Sequence, residues 1–242
     1  MDLHGSVALV TGGAHRLGRA IALALGRSGA NVVIHYHRSA DQARTVVDEL
    51  IGFGVEATCF SGDLAVVADV EQLVDRAIAC WGRLNLLVNN AGIWGSTPIG
   101  TVTEERWDEL IATNTRSAFF AAQRAAPALR AARGAIVNIT DVGALRPWRN
   151  HTPYLVSKGA VITLTEALAK DLAPEVRVNA IAPGPVLLPD DWTPAQAESA
   201  AQTVLLRRIG SPDDIAQAVI YLAQAEYVTG VVLPVDGGNR LR

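Results

Sequence analysis

Short apolar runs rich in β-branched residues alternate along this chain with longer stretches whose apolar positions recur at helical spacing. The runs are SVALVTG, ANVVIHY, EATCFS, RLNLLVNN, GAIVNIT, VRVNAIAP and GVVLPVDGG. Amphipathic stretches lie between them at 19–28, 40–52, 66–81, 104–130, 154–173 and 212–223. Runs that are apolar on both faces and alternate with helices predict a parallel sheet covered on both sides, wound right-handedly. The expected fold is α/β: a single Rossmann-like, doubly wound sandwich of about seven parallel strands, helices on both faces, spanning residues 1–242. Ligands of such a fold lie beyond the carboxyl ends of its strands, so the chemistry is to be sought just after the apolar runs.

Composition mainly excludes. Half of the 242 residues are apolar, enough for a large core, and no Pro/Gly/Ser-rich or charged tract divides the chain. A formal net charge of -3 gives no reason to expect nucleic acid or an anionic membrane as a partner. The opening MDLHGSVALVTGG is too short in its apolar part, and too glycine-bounded, for a signal peptide or membrane span, so a cytoplasmic location is expected. Cys59 and Cys80 sit in ordinary apolar surroundings, and His35 and His37 are the one close histidine pair. No disulfide framework or metal site is expected.

The first strand runs through TGGAHRLG straight into a helix. Gly12, Gly13 and Gly18 let backbone approach a ligand, and a helix N-terminus offers N–H groups and partial positive charge to a phosphate. A pyrophosphate-bearing cofactor is the natural occupant; a ligand-free tight turn is the plainer alternative. Farther on, Tyr154 precedes Lys158 by one helical turn, which puts both side chains on one face. A tyrosine normally ionises near about 10, and an adjacent ammonium favours its phenolate. Only two lysines, Lys158 and Lys170, stand against nineteen arginines, so the lysine at that spot is a pointed choice.

These features, with NNAG at 89–92, GDL at 62–64 and VDGG at 235–238, resemble the short-chain dehydrogenase/reductase family over nearly the whole chain. The resemblance implies a nicotinamide dinucleotide held by Gly12, Arg16, Leu17, Gly18, Asn90, Ala91, Gly92, Tyr154, Lys158, Pro183 and Gly184. It implies that Tyr154 donates a proton, helped by Lys158, while hydride is transferred. Asn114, a poor helix former inside a predicted helix, is implied to open that helix and hold a water leading to the lysine. Asp63 and the Leu64 backbone are implied to meet the adenine edge, although Asp63 also suits a helix cap. At the second strand's end HYHRSA has no acid for a ribose hydroxyl; His37, Arg38 and Ser39 offer donors where a 2′-phosphate would lie, which favours NADPH. A solvated loop is the alternative for His37 and Arg38.

Asp141 stands thirteen residues before Tyr154, where most family members have serine. An ionised aspartate would repel the oxyanion of a ketone under reduction, whereas a carboxylic acid suits a C=N bond, whose nitrogen must gain a proton. Arg16 in the glycine-rich turn, HYHRSA and Trp94 after NNAG resemble one subgroup, the pteridine reductases. That implies NADPH-dependent reduction of pterins, and folates with them, at ring C=N bonds. Asp141, Tyr154, Lys158 and Asn114 would be catalytic, and Arg16, Trp94, Asp141, Tyr154 and Leu188 would meet the substrate. Trp94 takes the place of an aromatic platform, usually phenylalanine, that sandwiches the pterin against nicotinamide. A substrate lid is expected around 184–210, with Asp190 and Asp191 either at the pterin edge or opening a helix, and His151 either in the pocket or in a solvated loop. The alternatives are a general carbonyl or 3-oxoacyl reductase, and a non-catalytic NADPH sensor. A homotetramer is implied by the resemblance.

Overall fold

A computed structural model describes residues 1–187 and 193–242. Seven strands form one parallel sheet: β1 (Val7–Val10), β2 (Asn31–Tyr36), β3 (Ala57–Ser61), β4 (Leu86–Asn89), β5 (Ala135–Ile139), β6 (Arg177–Pro183) and β7 (Val232–Val235). Their order across the sheet is β3-β2-β1-β4-β5-β6-β7. Each strand falls inside one of the apolar runs of the sequence, and the expected doubly wound α/β sandwich is the fold observed.

Alternation along β1 shows why the runs are apolar on both faces. Ala8 and Val10 join the layer under α1 (Arg16–Arg27), α2 (Ala40–Gly52) and α8 (Pro212–Gln224). Val7 and Leu9 join the opposite layer, under α3 (Val67–Trp81), α5 (Ser117–Ala132) and α6 (Thr152–Leu172). Between the sheet centre and α6 runs a buried polar chain: Asn89 Nδ2 donates to Asn138 Oδ1 at 2.9 Å, and Asn138 Nδ2 to Thr165 Oγ1 at 2.9 Å. Buried amides must be paired, so this chain fixes α6 against β4 and β5.

The stretch expected as one helix over 104–130 is α4 (Glu104–Ile111) and α5 joined by a π-helical turn, Ala112–Arg116, centred on Asn114. A π-turn inserts a residue into the ladder and opens it locally, as the resemblance implied for Asn114. Beyond β6, α7 (Pro194–Gln202) begins with a capping box between Thr193 and Gln196. Leu188, Asp190 and Asp191, three residues of the expected lid region, lie outside the described residues.

Strand order reverses beside β1, so a crevice opens between the ends of β1 and β4. Gly12 adopts φ 63°, and a Cβ on Gly18 would lie 2.0 Å from the Gly12 carbonyl oxygen and 2.6 Å from Asn90 Nδ2. Backbone cannot yield there as a flexible side chain could. Gly18→Ala is expected to destabilise the protein by roughly 1–3 kcal/mol, read as a lower urea midpoint at unchanged slope.

Candidate active site

The end of β4 braces the glycine-rich turn. Thr11 Oγ1 accepts the N–H groups of Asn90 and Ala91, both at 3.0 Å, and Asn90 Nδ2 donates to the Thr11 carbonyl at 2.8 Å. Arg16 opens α1 with φ 50°, in the left-handed region, and Leu17 packs on the core below it. A cradle with Gly12 at positive φ, and with no room for a side chain at Gly18, fits the close approach of a dinucleotide pyrophosphate. His37 and Arg38 are exposed at the end of β2, with His37 Nε2 4.0 Å from Asp63 Oδ2. Asp63 Oδ1 accepts the Ala65 N–H at 2.9 Å, which makes it a local turn former before α3; Leu64 is buried.

On the other side of the crevice stand the candidate catalytic groups. β5 delivers Asp141, whose Oδ1 accepts the Gly143 N–H at 2.7 Å. The Tyr154 hydroxyl donates to Asp141 Oδ2 at 2.6 Å, in the range of a charge-assisted O–H···O⁻ bond. Lys158, one turn along α6, is buried and donates from Nζ to the Ile139 carbonyl at 2.9 Å. Asn114 spends its amide on protein: Oδ1 accepts the Ile93 N–H at 2.8 Å, and Nδ2 donates to the Ile93 carbonyl at 3.0 Å and to Ser157 Oγ at 2.9 Å. Gly92 lies between this amide and the lysine, since a Cβ there would be 3.2 Å from both Asn114 Oδ1 and Lys158 Nζ.

Burial dominates the protonation of these groups. It pushes the Asp141 carboxyl above the usual carboxylate range, against the Tyr154 hydroxyl, the Gly143 N–H and the positive charges of Lys158 and of His151 when charged. Tyr154 is held well above its usual value, first by burial and then by the charge and hydrogen bond of Asp141. Lys158 is lowered to about 8 by burial, with Asp141 opposing. The expected easing of Tyr154 toward phenolate by the lysine is therefore not what governs this site. The ammonium is directed at a backbone carbonyl, while an acid occupies hydrogen-bonding distance of the phenol. The result is a phenol that keeps its proton and donates a short hydrogen bond to a carboxyl group in a poorly hydrated place.

A cleft of about 530 Å³ opens onto this pair, lined by Trp94, Asp141, Val142, Trp148, Pro183 and Gly184 among others. The structure thus brings together Trp94, Asp141, Pro183 and Gly184, with Tyr154 attached through Asp141. Arg16 stays with the glycine-rich turn and is not among the residues lining this cleft. Trp148 is a wall residue to which the sequence assigns no role, while His151, weighed there between pocket and solvated loop, packs against the aromatic wall without lining the cleft. Trp148 lies over Gly143, and His151 stands between Trp94 and Trp148, with ring centroids at 5.3 Å and 6.1 Å. Trp148 was legible in principle, as an aromatic in the loop joining Asp141 to Tyr154; its contact with Gly143 was not.

A family model described as enoyl-(acyl carrier protein) reductase matches residues 12–240. Among curated proteins, the chain is 37% identical over 243 residues to one named as ketoacyl reductase 2 of the granaticin polyketide synthase of Streptomyces violaceoruber, covering 97% of this chain and 96% of that protein. It is 36% identical to the 3-oxoacyl-[acyl-carrier-protein] reductase FabG of Staphylococcus epidermidis, covering 96% and 97%. Among solved structures, a blue fluorescent protein from a metagenomic library, in complex with NADPH, superposes with a TM-score of 0.93 at 35% identity, covering 99% of both chains.

Removing the carboxylate from beside the phenol should make Tyr154 more acidic. Asp141→Ser is expected to shift one tyrosine to lower pH in an ultraviolet phenolate titration, identified by its loss in the Tyr154→Phe background. A Tyr154 titration that stays put would show that Asp141 does not hold the proton on the phenol.

Proposed function

Because the chain belongs to the short-chain dehydrogenase/reductase family, we propose that it is an NADPH-dependent reductase that delivers hydride to a ring C=N bond of a pterin, folates included. The single observation that carries this reading is the 2.6 Å bond between Tyr154 and an aspartate where the family usually has serine. The glycine-rich cradle fits the cofactor, His37, Arg38 and Ser39 would meet its 2′-phosphate, and the NADPH complex of a close structural relative supports that choice. The bound cofactor would supply the hydride.

The chain's own groups supply position and a proton. Hydride adds to the ring carbon as the C=N π pair moves to nitrogen, and nitrogen takes a proton from the Tyr154–Asp141 pair, leaving CH–NH and a pair one proton short. Solvent then restores that proton. A carboxyl group raised by burial is a better proton partner for a ring nitrogen than an ionised one. Lys158 would hold the cofactor ribose and offset the negative charge left on the pair; Asn114 keeps Ile93, and so the segment leading to Trp94, in place. Trp94, 59% exposed beside Asp141, offers a flat face for a heteroaromatic ring, with Trp148 as a second apolar wall. Arg16 and Leu188 would complete the substrate contacts, a lid around 184–210 would cover them, and the working unit would be a homotetramer.

The names of the relatives favour a second reading over the first. Both curated relatives are named as ketoacyl or oxoacyl reductases, which supports reduction of a 3-oxoacyl thioester. In that case a protonated Asp141 would stand in for serine as the donor to the carbonyl oxygen. Among the described residues, no helix is long and apolar enough to cross a membrane.

The test is cofactor oxidation, with NADPH and NADH compared, on biopterin, dihydrofolate, simple ketones and a 3-oxoacyl thioester. Pterin turnover preferred over the thioester is the expected result; thioester preference would establish the second reading. Asp141→Ser should depress pterin reduction while leaving NADPH binding nearly intact, and unchanged pterin turnover would remove the acid from the mechanism. Tyr154→Phe should cost roughly 10²- to 10⁴-fold in turnover of whichever substrate is reduced. Cofactor binding with no turnover on any substrate would leave only a sensor.

A further inference from the structure

His35 lies inside the sheet at 2% exposure, two residues before the exposed His37. Its Nδ1 is 3.1 Å from the Gly12 backbone nitrogen, and its Nε2 is 3.1 Å from the Gly62 carbonyl oxygen. A backbone N–H only donates and a carbonyl only accepts. The two contacts are therefore met together by one form alone, a neutral imidazole carrying its proton on Nε2. The same residue also holds the turn through its backbone, since the Gly13 N–H donates to the His35 carbonyl at 2.9 Å. Gly62, on the opposite side, leads into Asp63, whose N–H donates to Asp69 Oδ2 at 2.8 Å and whose carboxylate faces His37. One side chain thus connects the two loops between which a dinucleotide would lie.

We propose that His35 is a cofactor-positioning residue: its neutral imidazole ties the glycine-rich turn to the exit of β3, and protonation breaks that tie and weakens NADPH binding. The proposal rests on the cofactor assignment above and is independent of which substrate is reduced. A proton on Nδ1 would face the Gly12 N–H, donor against donor. The turn would then have to move away from the position that Thr11 and Asn90 set for it.

The direction of titration agrees with this geometry. Burial pushes His35 below the usual histidine value; the Gly62 hydrogen bond opposes, His37 adds to the lowering and Asp63 opposes it. Other ionisable groups on the surrounding elements are Asp69 on α3, across Gly62 from the ring, and His15 and Arg16 on the glycine-rich turn. Above the unfolded value of about 6.5 the ring is neutral in both states and the tie is complete. As pH falls below that value the unfolded chain takes the proton first, and the tie is lost as pH passes through the lowered folded value.

The experiment measures NADPH dissociation constants by fluorescence from about pH 8 down to about pH 5, for the wild type, His35→Asn and His35→Gln. Asparagine places an acceptor where Nδ1 stood, whereas glutamine reaches only toward Gly62. Neither titrates. At the upper pH each variant keeps one of the two contacts and breaks the tie, so both His35→Asn and His35→Gln should bind NADPH roughly fivefold more weakly than wild type, the expected cost of one lost hydrogen bond. On acidification the wild type should lose affinity more steeply than His35→Asn; the 2′-phosphate, which itself titrates near about 6, contributes equally to both. Nitrogen-15 NMR of the wild-type imidazole should show the Nε2–H tautomer, a readout that stands even if neither variant folds. Parallel pH profiles for wild type and His35→Asn, or an Nδ1–H tautomer, would falsify the proposal. Failure of the wild type to bind NADPH at the upper pH would refute the cofactor assignment itself.

Discussion

The bond between Tyr154 and Asp141 joins two elements that the chain reaches by separate routes, the exit of β5 and the first turns of α6. Its geometry depends on nearly everything beneath it. The buried Asn89–Asn138–Thr165 chain fixes α6 over β4 and β5, and Thr140 Oγ1 donates to the Lys158 carbonyl at 2.7 Å. Burial then does what distance alone would not. With water scarce, neither the acid nor the phenol is easily charged, and the lysine below them is less firmly cationic than usual. A neutral phenol donating its hydrogen bond to the acid is the arrangement that burial and geometry favour here.

The cofactor half of the crevice follows a different economy, built from backbone. Thr11 and Asn90 brace a turn whose glycines pack against backbone, with the contact at Gly18 too close for any side chain. Such a turn is specific for an approach distance rather than for a chemical group, and it suits a phosphate carried by any dinucleotide. On the proposed reading, discrimination between cofactors would be left to the exposed ends of β2 and β3, where His37, Arg38 and Asp63 stand. Binding and discrimination would thus fall to separate segments, with His35 between them.

The strands were legible because parallel strands are buried on both faces and leave uninterrupted apolar runs, as VALV and AIVNI show. Tyr154 and Lys158 were legible because helical spacing alone puts them on one face. The π-turn at 112–116 was visible only as a poor helix former at Asn114, since an inserted residue leaves no mark on the apolar pattern. Spacing along α6 does not contain the partners of these groups: the lysine donates to the Ile139 carbonyl, and the phenol donates to the acid. The residue opposite Tyr154 is the acid, and it comes from a strand thirteen residues earlier. The resemblance to the pteridine reductases is carried by Arg16, Trp94, Asp141 and the short stretch HYHRSA, whereas the relatives at 36–37% identity are named as ketoacyl and oxoacyl reductases. Whole-chain similarity weighs two hundred positions of scaffold against a handful that touch substrate, so it speaks to family more strongly than to specificity.

Trp148 covers Gly143 so closely that a Cβ there would meet the indole at 2.1 Å. The wall of the cleft is therefore seated on a backbone position adjoining Asp141 but is not bonded to the acid. Loop 145–150 can exchange Trp148 for smaller residues while the Tyr154–Asp141 pair keeps its partners. In a laboratory lineage selected for new substrates, that loop is where variation would be tolerated, and residue 143 is where it would be punished.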